Sequence, residues 1–232
     1  MILYSNSCSY GVMSTGKTYS DFIAEKLNCE VVNSGLPGCC NDRIVRTSVR
    51  DLLELKSKQT DIFALISFTS LYRFEFWNNE KPAIENDGHF RSLQVSSLNK
   101  GNYNSPIDNI LIEKYASSWF QLYDDEAQIC NLFSKIVLLT NFLKNNNIGY
   151  LIWFGPMNYK TVDYTTPFIK TFYQDIFNNK NIINFDQFSF SHYCSVTKGH
   201  VPYDSEKYGI YGHHCELAHK DFANYLLENY IK

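Results

Sequence analysis

Short apolar runs that alternate with amphipathic segments are the feature that most restricts how this chain can fold. The run Ile62–Ser67 is almost wholly apolar, as expected for a strand that is buried on both faces of a parallel sheet. The segment Tyr19–Leu27 carries apolar residues at helical spacing. Strands and helices that alternate in this way predict parallel strands joined by crossover helices. We therefore expect an α/β fold, a three-layer α/β/α sandwich with a mainly parallel five-stranded sheet.

The same pattern gives bounds for each predicted element. Strands are expected at Ile2–Ser5, Glu30–Asn33, Ile62–Ser67, Tyr150–Phe154 and Ile182–Phe185. Helices are expected at Tyr19–Leu27, Asp42–Leu55, Ile107–Asn145 with a break near Asp124–Asp125, Pro167–Phe177 and Cys215–Tyr230. Residues 77–106 are polar and rich in Asn, which predicts an insertion over the sheet edge, and residues 187–212 are expected to be irregular. With 232 residues and 44% hydrophobic content, residues 1–232 are predicted to form one domain.

Composition excludes several classes of protein. The net charge is −3 and no basic block occurs, so nucleic acid is not an expected partner. No run approaches the roughly 18 apolar residues of a membrane span. The chain opens on a core strand rather than a signal peptide, and its seven cysteines are an odd number without framework spacing. These features predict a cytoplasmic protein with reduced thiols. The wealth of Asn, Lys, Ile, Tyr and Phe is typical of an AT-rich genome, such as that of a phage or a marine bacterium.

Four polar segments lie where loops of such a sheet converge, just after a strand or just before a helix. Their sequences are Ser5–Gly11, Asn33–Arg46, Ile66–Phe76 and Gly212–His219. A serine hydroxyl becomes a good nucleophile when a base takes its proton, and the tetrahedral intermediate needs donors for its oxyanion. The first segment offers a serine and the last a histidine. The other two offer a glycine N–H and a threonine hydroxyl. Together they predict a serine esterase site.

Each segment also has a structural interpretation. The first is a serine-rich turn, and Asn41 or Asp42 in the second could be a helix cap. In the third, Arg73 and Glu75 are interpreted as an ion pair at the rim rather than as catalytic groups. A histidine ahead of a helix is often structural, although the last segment holds three within seven residues.

The ordered set of segments resembles the SGNH (GDSL-like) hydrolase superfamily, in a divergent branch found in phages and bacteria. The first segment matches a Gly-Cys-Ser-Phe-Thr-Tyr-Gly-like block, which implies Ser7 as nucleophile and its N–H as an oxyanion donor. The second resembles a Gly-x-Ser-Asn-x-Arg-Ile-x-Arg block, which implies Gly38 as a further donor. In the third, Thr69 occupies the place of the family's asparagine, and the last implies His213 as the catalytic base.

The sequence departs from the family pattern at the acid of the triad. A carboxylate is usual two or three residues before the histidine, where this chain has Ile210 and Tyr211. Either the loop folds the nearest upstream acid, Asp204, back to His213, or a backbone carbonyl orients the imidazole in a Ser–His dyad. Loss of the acid can lower the rate of a triad by up to about 10⁴-fold. A degenerate binding or virion-associated protein on the same scaffold is therefore an alternative.

The resemblance implies hydrolysis of a carboxylic ester, in particular an O-acetyl group on a glycan, with no cofactor. The expected partner is then a small-molecule or glycan ester. Residues 77–106 and the long helical stretch that follows are expected to set specificity.

Two other motifs compete with this interpretation. Gly11–Thr18 matches the phosphate-loop pattern Gly-x4-Gly-Lys-Ser/Thr, which would place Lys17 on a terminal phosphate and Thr18 on Mg²⁺. A nucleotide-binding protein is therefore a further alternative, although the strand of a phosphate loop should lead directly into Gly11 and the mostly polar residues Asn6–Tyr10 intervene here. The pair Cys39–Cys40 could join the late histidines and Cys215 around zinc, but adjacent ligands fit a tetrahedral shell poorly. No metal site is predicted.

Overall fold

A computed structural model describes residues 1–12, 16–58, 61–77, 90–94, 106–156, 166–183, 188–200 and 213–231. Four parallel strands form the central sheet in the order β2-β1-β3-β6, and two further strands form a separate antiparallel pair. The strands are β1 (Ile2–Asn6), β2 (Glu30–Asn33), β3 (Ile62–Phe68), β4 (Arg73–Trp77), β5 (Phe90–Gln94) and β6 (Gly149–Phe154). The helices are α1 (Tyr19–Leu27), α2 (Asn41–Lys58), α3 (Pro106–Gln121), α4 (Asp125–Asn145), α5 (Pro167–Phe177), α6 (Phe190–His192) and α7 (Glu216–Asn229).

Helices cover both faces of the central sheet. Along β3, Ala64 and Ile66 belong to a core cluster with α2, α4 and α5, whereas Leu65 belongs to a second cluster with α1 and α7. This alternation follows from the period of two along a strand, and it explains why the strand is apolar on both faces. The mixed α/β class with a parallel sheet and helices on both faces is therefore confirmed.

The expected count of five strands in the central sheet is wrong. In place of the strand Ile182–Phe185, the described residues form one isolated parallel bridge between Ile182 and Ile152. The N–H of Ile183 donates to the Ile152 carbonyl at 2.8 Å, but the N–H of Ile182 donates to Asn179 at 2.9 Å in the turn that follows α5. The chain just before Ile182 is thus held in a turn rather than extended along β6, and residues 184–187 lie outside the described ranges.

The other expected elements are found within a few residues of their predicted bounds. The break in the long helical stretch is confirmed, because the side chain of Asp124 caps α4 by accepting from the Ala127 N–H at 2.8 Å. Much of residues 77–106 lies outside the described ranges, so the insertion stays a prediction. The pairing of β4 with β5 was not predicted. None of the described helices combines the length and apolar character that a bilayer span requires.

Candidate active site

The loops that follow β1 and β2 are joined at the carboxyl edge of the sheet. The Leu36 N–H donates to the Ser7 carbonyl at 3.0 Å, and the Asn33 side-chain amide donates to the Gly11 carbonyl at 2.9 Å. Neighbouring parallel strands end side by side, so their loops meet there. The first two predicted segments therefore lie together.

A reciprocal pair of hydrogen bonds joins the second loop to the third. The Thr69 N–H donates to the Asn41 side-chain oxygen at 2.7 Å, and the Asn41 side-chain nitrogen donates to the Thr69 carbonyl at 3.0 Å. An amide carries both a donor and an acceptor, so it can pair with a backbone as a neighbouring strand would. The sequence suggests a helix cap at Asn41 or Asp42, and this contact was not predicted.

A histidine near the end of the chain reaches a serine near its start. A hydrogen bond of 2.6 Å joins the Nε2 atom of His213 to the hydroxyl of Ser9. The imidazole ring also lies against the Tyr10 ring, with 4.8 Å between the ring centroids. The expected serine–imidazole contact between the two ends is present, but it involves Ser9 where the sequence suggested Ser7.

The Ser7 side chain is buried on the inner side of the same turn. Its hydroxyl donates to the Cys8 carbonyl at 3.0 Å rather than to His213. A Cβ atom built on Gly11 would lie only 2.0 Å from the Ser7 Oγ atom, and one built on Gly35 would lie 3.1 Å from it. Two glycines therefore leave the space that this hydroxyl occupies. Sequence reasoning assigned no role to Ser9, although it stands in the block as the second hydroxyl residue.

The remaining predicted groups are distributed as follows. Gly38 is exposed with φ of +78°, and a Cβ built there would meet no heavy atom within 4 Å. Its left-handed backbone, rather than a close approach of another group, is what favours glycine at this position. Thr69 is fully buried, hydroxyl included. Asp204 lies outside the described residues, so its role as the acid stays a prediction.

The two other histidines of the last segment are buried. Burial, reinforced by neighbouring imidazoles, lowers the pKa of His214 to about 4 and that of His219 to about 3. The Nδ1 atom of His219 accepts from the Tyr19 N–H at 3.3 Å, and the two rings stack. His214 faces Ser191, with 3.4 Å between Nε2 and Oγ. The His214 and His219 rings are therefore neutral near pH 7. His213, by contrast, is half-buried and lies at the loop after β1.

The ion pair expected between Arg73 and Glu75 is not formed. Both oxygens of the Glu75 carboxylate accept from Arg46 of α2, at 2.5 Å from Nη2 and 3.3 Å from Nε. Arg73 instead donates from Nη1 to the carbonyl of Cys39, the residue that follows Gly38 in the chain, at 3.2 Å. Glu75 is therefore held from α2 rather than from its own strand, by a guanidinium that donates to both carboxylate oxygens.

The residues of the phosphate-loop pattern have other contacts. Thr18 precedes α1, and both its N–H and its hydroxyl donate to the Asp21 carboxylate at 2.7 Å. Lys17 forms an exposed ion pair with Glu25. The first glycine of the motif belongs to a 3₁₀ turn at Ser9–Gly11 rather than directly following β1, and residues 13–15 lie outside the described ranges. Among all the residues that the structure describes, no three His, Cys, Asp or Glu side chains are grouped closely enough to hold a metal ion.

Comparison with known proteins gives a family and several solved structures of low similarity. A search of the curated proteins gave no significant match. A putative lipolytic protein of the G-D-S-L family from Desulfitobacterium hafniense is similar in structure, with 12% identity and a TM-score of 0.47 over 98% of each chain. An acetyl xylan esterase from the rumen bacterium Butyrivibrio proteoclasticus has 15% identity and a TM-score of 0.42, over 98% of this chain and 62% of that one.

The first of these names the G-D-S-L family in its description, but identities and TM-scores of this size carry no argument about the superfamily or the activity of this chain. The model of the family of unknown function DUF6071 matches residues 9–229, nearly the whole chain, so this protein belongs to that family.

Proposed function

We propose that this chain is a serine hydrolase that cleaves carboxylic esters, with His213 as the general base. The observation that carries the proposal is the 2.6 Å hydrogen bond between the Nε2 atom of His213 and the Ser9 hydroxyl. A base must lie within hydrogen-bond reach of the proton it removes, and this contact meets that condition without rearrangement. The contact lies on the loop after β1, at the edge of the sheet where the loops after β2 and β3 also meet.

The reaction proceeds in two steps. The serine oxygen attacks the ester carbonyl carbon while His213 takes the hydroxyl proton, which gives a tetrahedral oxyanion. Backbone N–H groups of the turn after β1 and of Gly38 are the proposed donors to that oxyanion, with the Thr69 hydroxyl as a further candidate. Collapse of the intermediate breaks the bond to the alcohol, which leaves with the proton from His213. Water then attacks the acyl-serine, again with His213 as base, and releases the acid.

Two serines compete for the role of nucleophile. Ser9 is favoured by its contact with the base. Ser7 is favoured by its place in the sequence block, but its hydroxyl would first have to leave the Cys8 carbonyl and turn toward His213. The two are separated by one residue on the same turn, so either can present its oxygen to the same loops.

Labelling with a fluorophosphonate tests the proposal, because this probe reacts with a serine that a base has activated. We expect the folded protein to be labelled and His213→Gln to abolish the labelling while the circular dichroism spectrum is retained. Peptide mapping of the labelled protein, together with Ser9→Ala and Ser7→Ala, identifies which serine reacts. Ser191→Ala is a matched control, since its hydroxyl faces His214 rather than His213.

Absence of labelling in a folded sample would contradict the proposal and favour the degenerate binding protein. Labelling that survives His213→Gln unchanged would also contradict it, because the activated serine would then use another base. The narrower prediction of an O-acetyl glycan substrate is tested separately, by release of acetate from acetylated xylan.

A further inference from the structure

Arg73 is a cation near the candidate site whose ion pairing within the described residues differs from that expected. The expected partner is Glu75, two residues further along β4, but both oxygens of that carboxylate accept from Arg46. Within the described part of the chain, no carboxylate forms an ion pair with Arg73, and its buried Nε atom has no hydrogen-bond partner. A half-buried guanidinium without an anion is costly, and most such groups in proteins are paired.

The guanidinium lies beside the groups proposed for catalysis. Its Nη1 atom donates to the Cys39 carbonyl at 3.2 Å, one residue after Gly38. Burial raises the pKa of Tyr10, and the positive charge of Arg73 opposes that rise. The Tyr10 ring in turn lies 4.8 Å from the His213 ring, measured between centroids. Arg73 therefore contacts the loop after β2 and lies close enough to the loop after β1 for its charge to act on Tyr10.

We propose that Arg73 binds an anionic group of the substrate, so that the preferred esters carry a carboxylate close to the scissile carbonyl group. A guanidinium presents a planar fork of donors that matches a carboxylate, and Nε is one arm of that fork. Binding of the substrate anion would supply the partner that Glu75 does not. This inference rests on the proposed ester hydrolysis and defines the class of ester.

Two esters of equal chain length separate charge from size: the mono-4-nitrophenyl ester of succinic acid, which is anionic, and 4-nitrophenyl butyrate, which is neutral. We expect kcat/KM of the wild type to be higher for the anionic ester. Arg73→Gln should lower kcat/KM for that ester by about 10- to 100-fold, the range for a lost hydrogen bond to a charged group. Hydrolysis of the neutral ester should change by less than about twofold.

Two further variants separate recognition from other effects. Arg73→Lys keeps the charge without the fork and should give an intermediate preference for the anionic ester. Arg50→Gln removes the same charge at an exposed ion pair with Asp51 on α2, and it should leave the preference unchanged.

Calorimetric titration with inorganic phosphate measures binding of an anion without turnover. We expect wild-type protein to bind phosphate and Arg73→Gln to lose that binding. If no ester is cleaved, the proposed function fails while this titration still decides the role of Arg73. An equal loss of both esters in Arg73→Gln with unchanged phosphate binding would overturn the inference, since Arg73 would then only hold the Cys39 carbonyl. Absence of both phosphate binding and a preference in the wild type would overturn it as well.

Discussion

The buried imidazole of His219 makes stability depend on pH, and His219→Asn should remove much of that dependence. The ring is 2% exposed and accepts a hydrogen bond from the Tyr19 N–H through Nδ1. Protonation would eliminate this acceptor and place a charge in the core between α1 and α7. Asparagine keeps an oxygen that can accept near the position of Nδ1, but it does not titrate in this range.

The size of the effect follows from the pKa of His219, which burial lowers from 6.5 to about 3. Because the folded pKa is the lower one, the unfolded chain takes up the proton first as the pH falls. The contribution of the neutral ring is therefore complete above a pH near 6.5 and is lost as the pH falls toward 3. Each unit of difference corresponds to about 1.4 kcal/mol, so this residue alone removes about 2 kcal/mol between pH 7 and pH 5.

Urea denaturation of the wild type and of His219→Asn at pH 7 and at pH 5 measures this contribution. The variant is expected to be less stable at pH 7, because it loses ring packing against Tyr19 and Phe190. Its free energy of unfolding should nevertheless fall by about 2 kcal/mol less than that of the wild type over this range. Should the variant fail to fold, NMR titration of His219 in the wild type measures its pKa directly. Equal pH profiles, or a measured pKa near 6.5, would refute the reasoning.

Three further substitutions test the packing and the alternatives. Gly11→Ala would place a Cβ 2.0 Å from the Ser7 Oγ atom, so we expect a loss of about 1–3 kcal/mol in urea denaturation, and an unchanged midpoint would contradict this packing. Asn41→Ala removes two buried hydrogen bonds to the backbone of Thr69, and it should lower the free energy of unfolding by about 2 kcal/mol, measured in the same way. Lys17→Ala removes an exposed ion pair and should leave the midpoint of urea denaturation nearly unchanged, and Mg-ATP should not raise the Tm of the wild type. A rise in Tm that Lys17→Ala removes would restore the phosphate-loop interpretation.

Much of the fold could be read from local pattern. Apolar runs and helical spacing gave the order of the elements, and most bounds agree within a few residues. The prediction of a fifth strand was wrong because an apolar run does not show that the described pairing is limited to a single bridge at Ile182, next to the turn after α5. The pairing of β4 with β5 was missed because strand pairing depends on a partner more than ten residues away along the chain.

The candidate site divides in the same way. The chain order of its parts and the return of a late histidine to an early serine followed from the sequence, because loops after parallel strands end at one edge of the sheet. The sequence did not determine which serine hydroxyl contacts the imidazole of His213. Ser7 and Ser9 are two residues apart and chemically alike, and the choice depends on the side-chain directions set by the turn at Ser9–Gly11.

The sequence by itself thus determined the class of fold and the segments that meet at the edge of the sheet, since both depend on short-range periodicity. Only the tertiary structure decided the partners of single side chains. Arg46 took the carboxylate that Arg73 was expected to hold, through a contact across 29 residues of chain. A pairing of this kind depends on distances between separate elements, and these exist only once the helices have packed on the sheet.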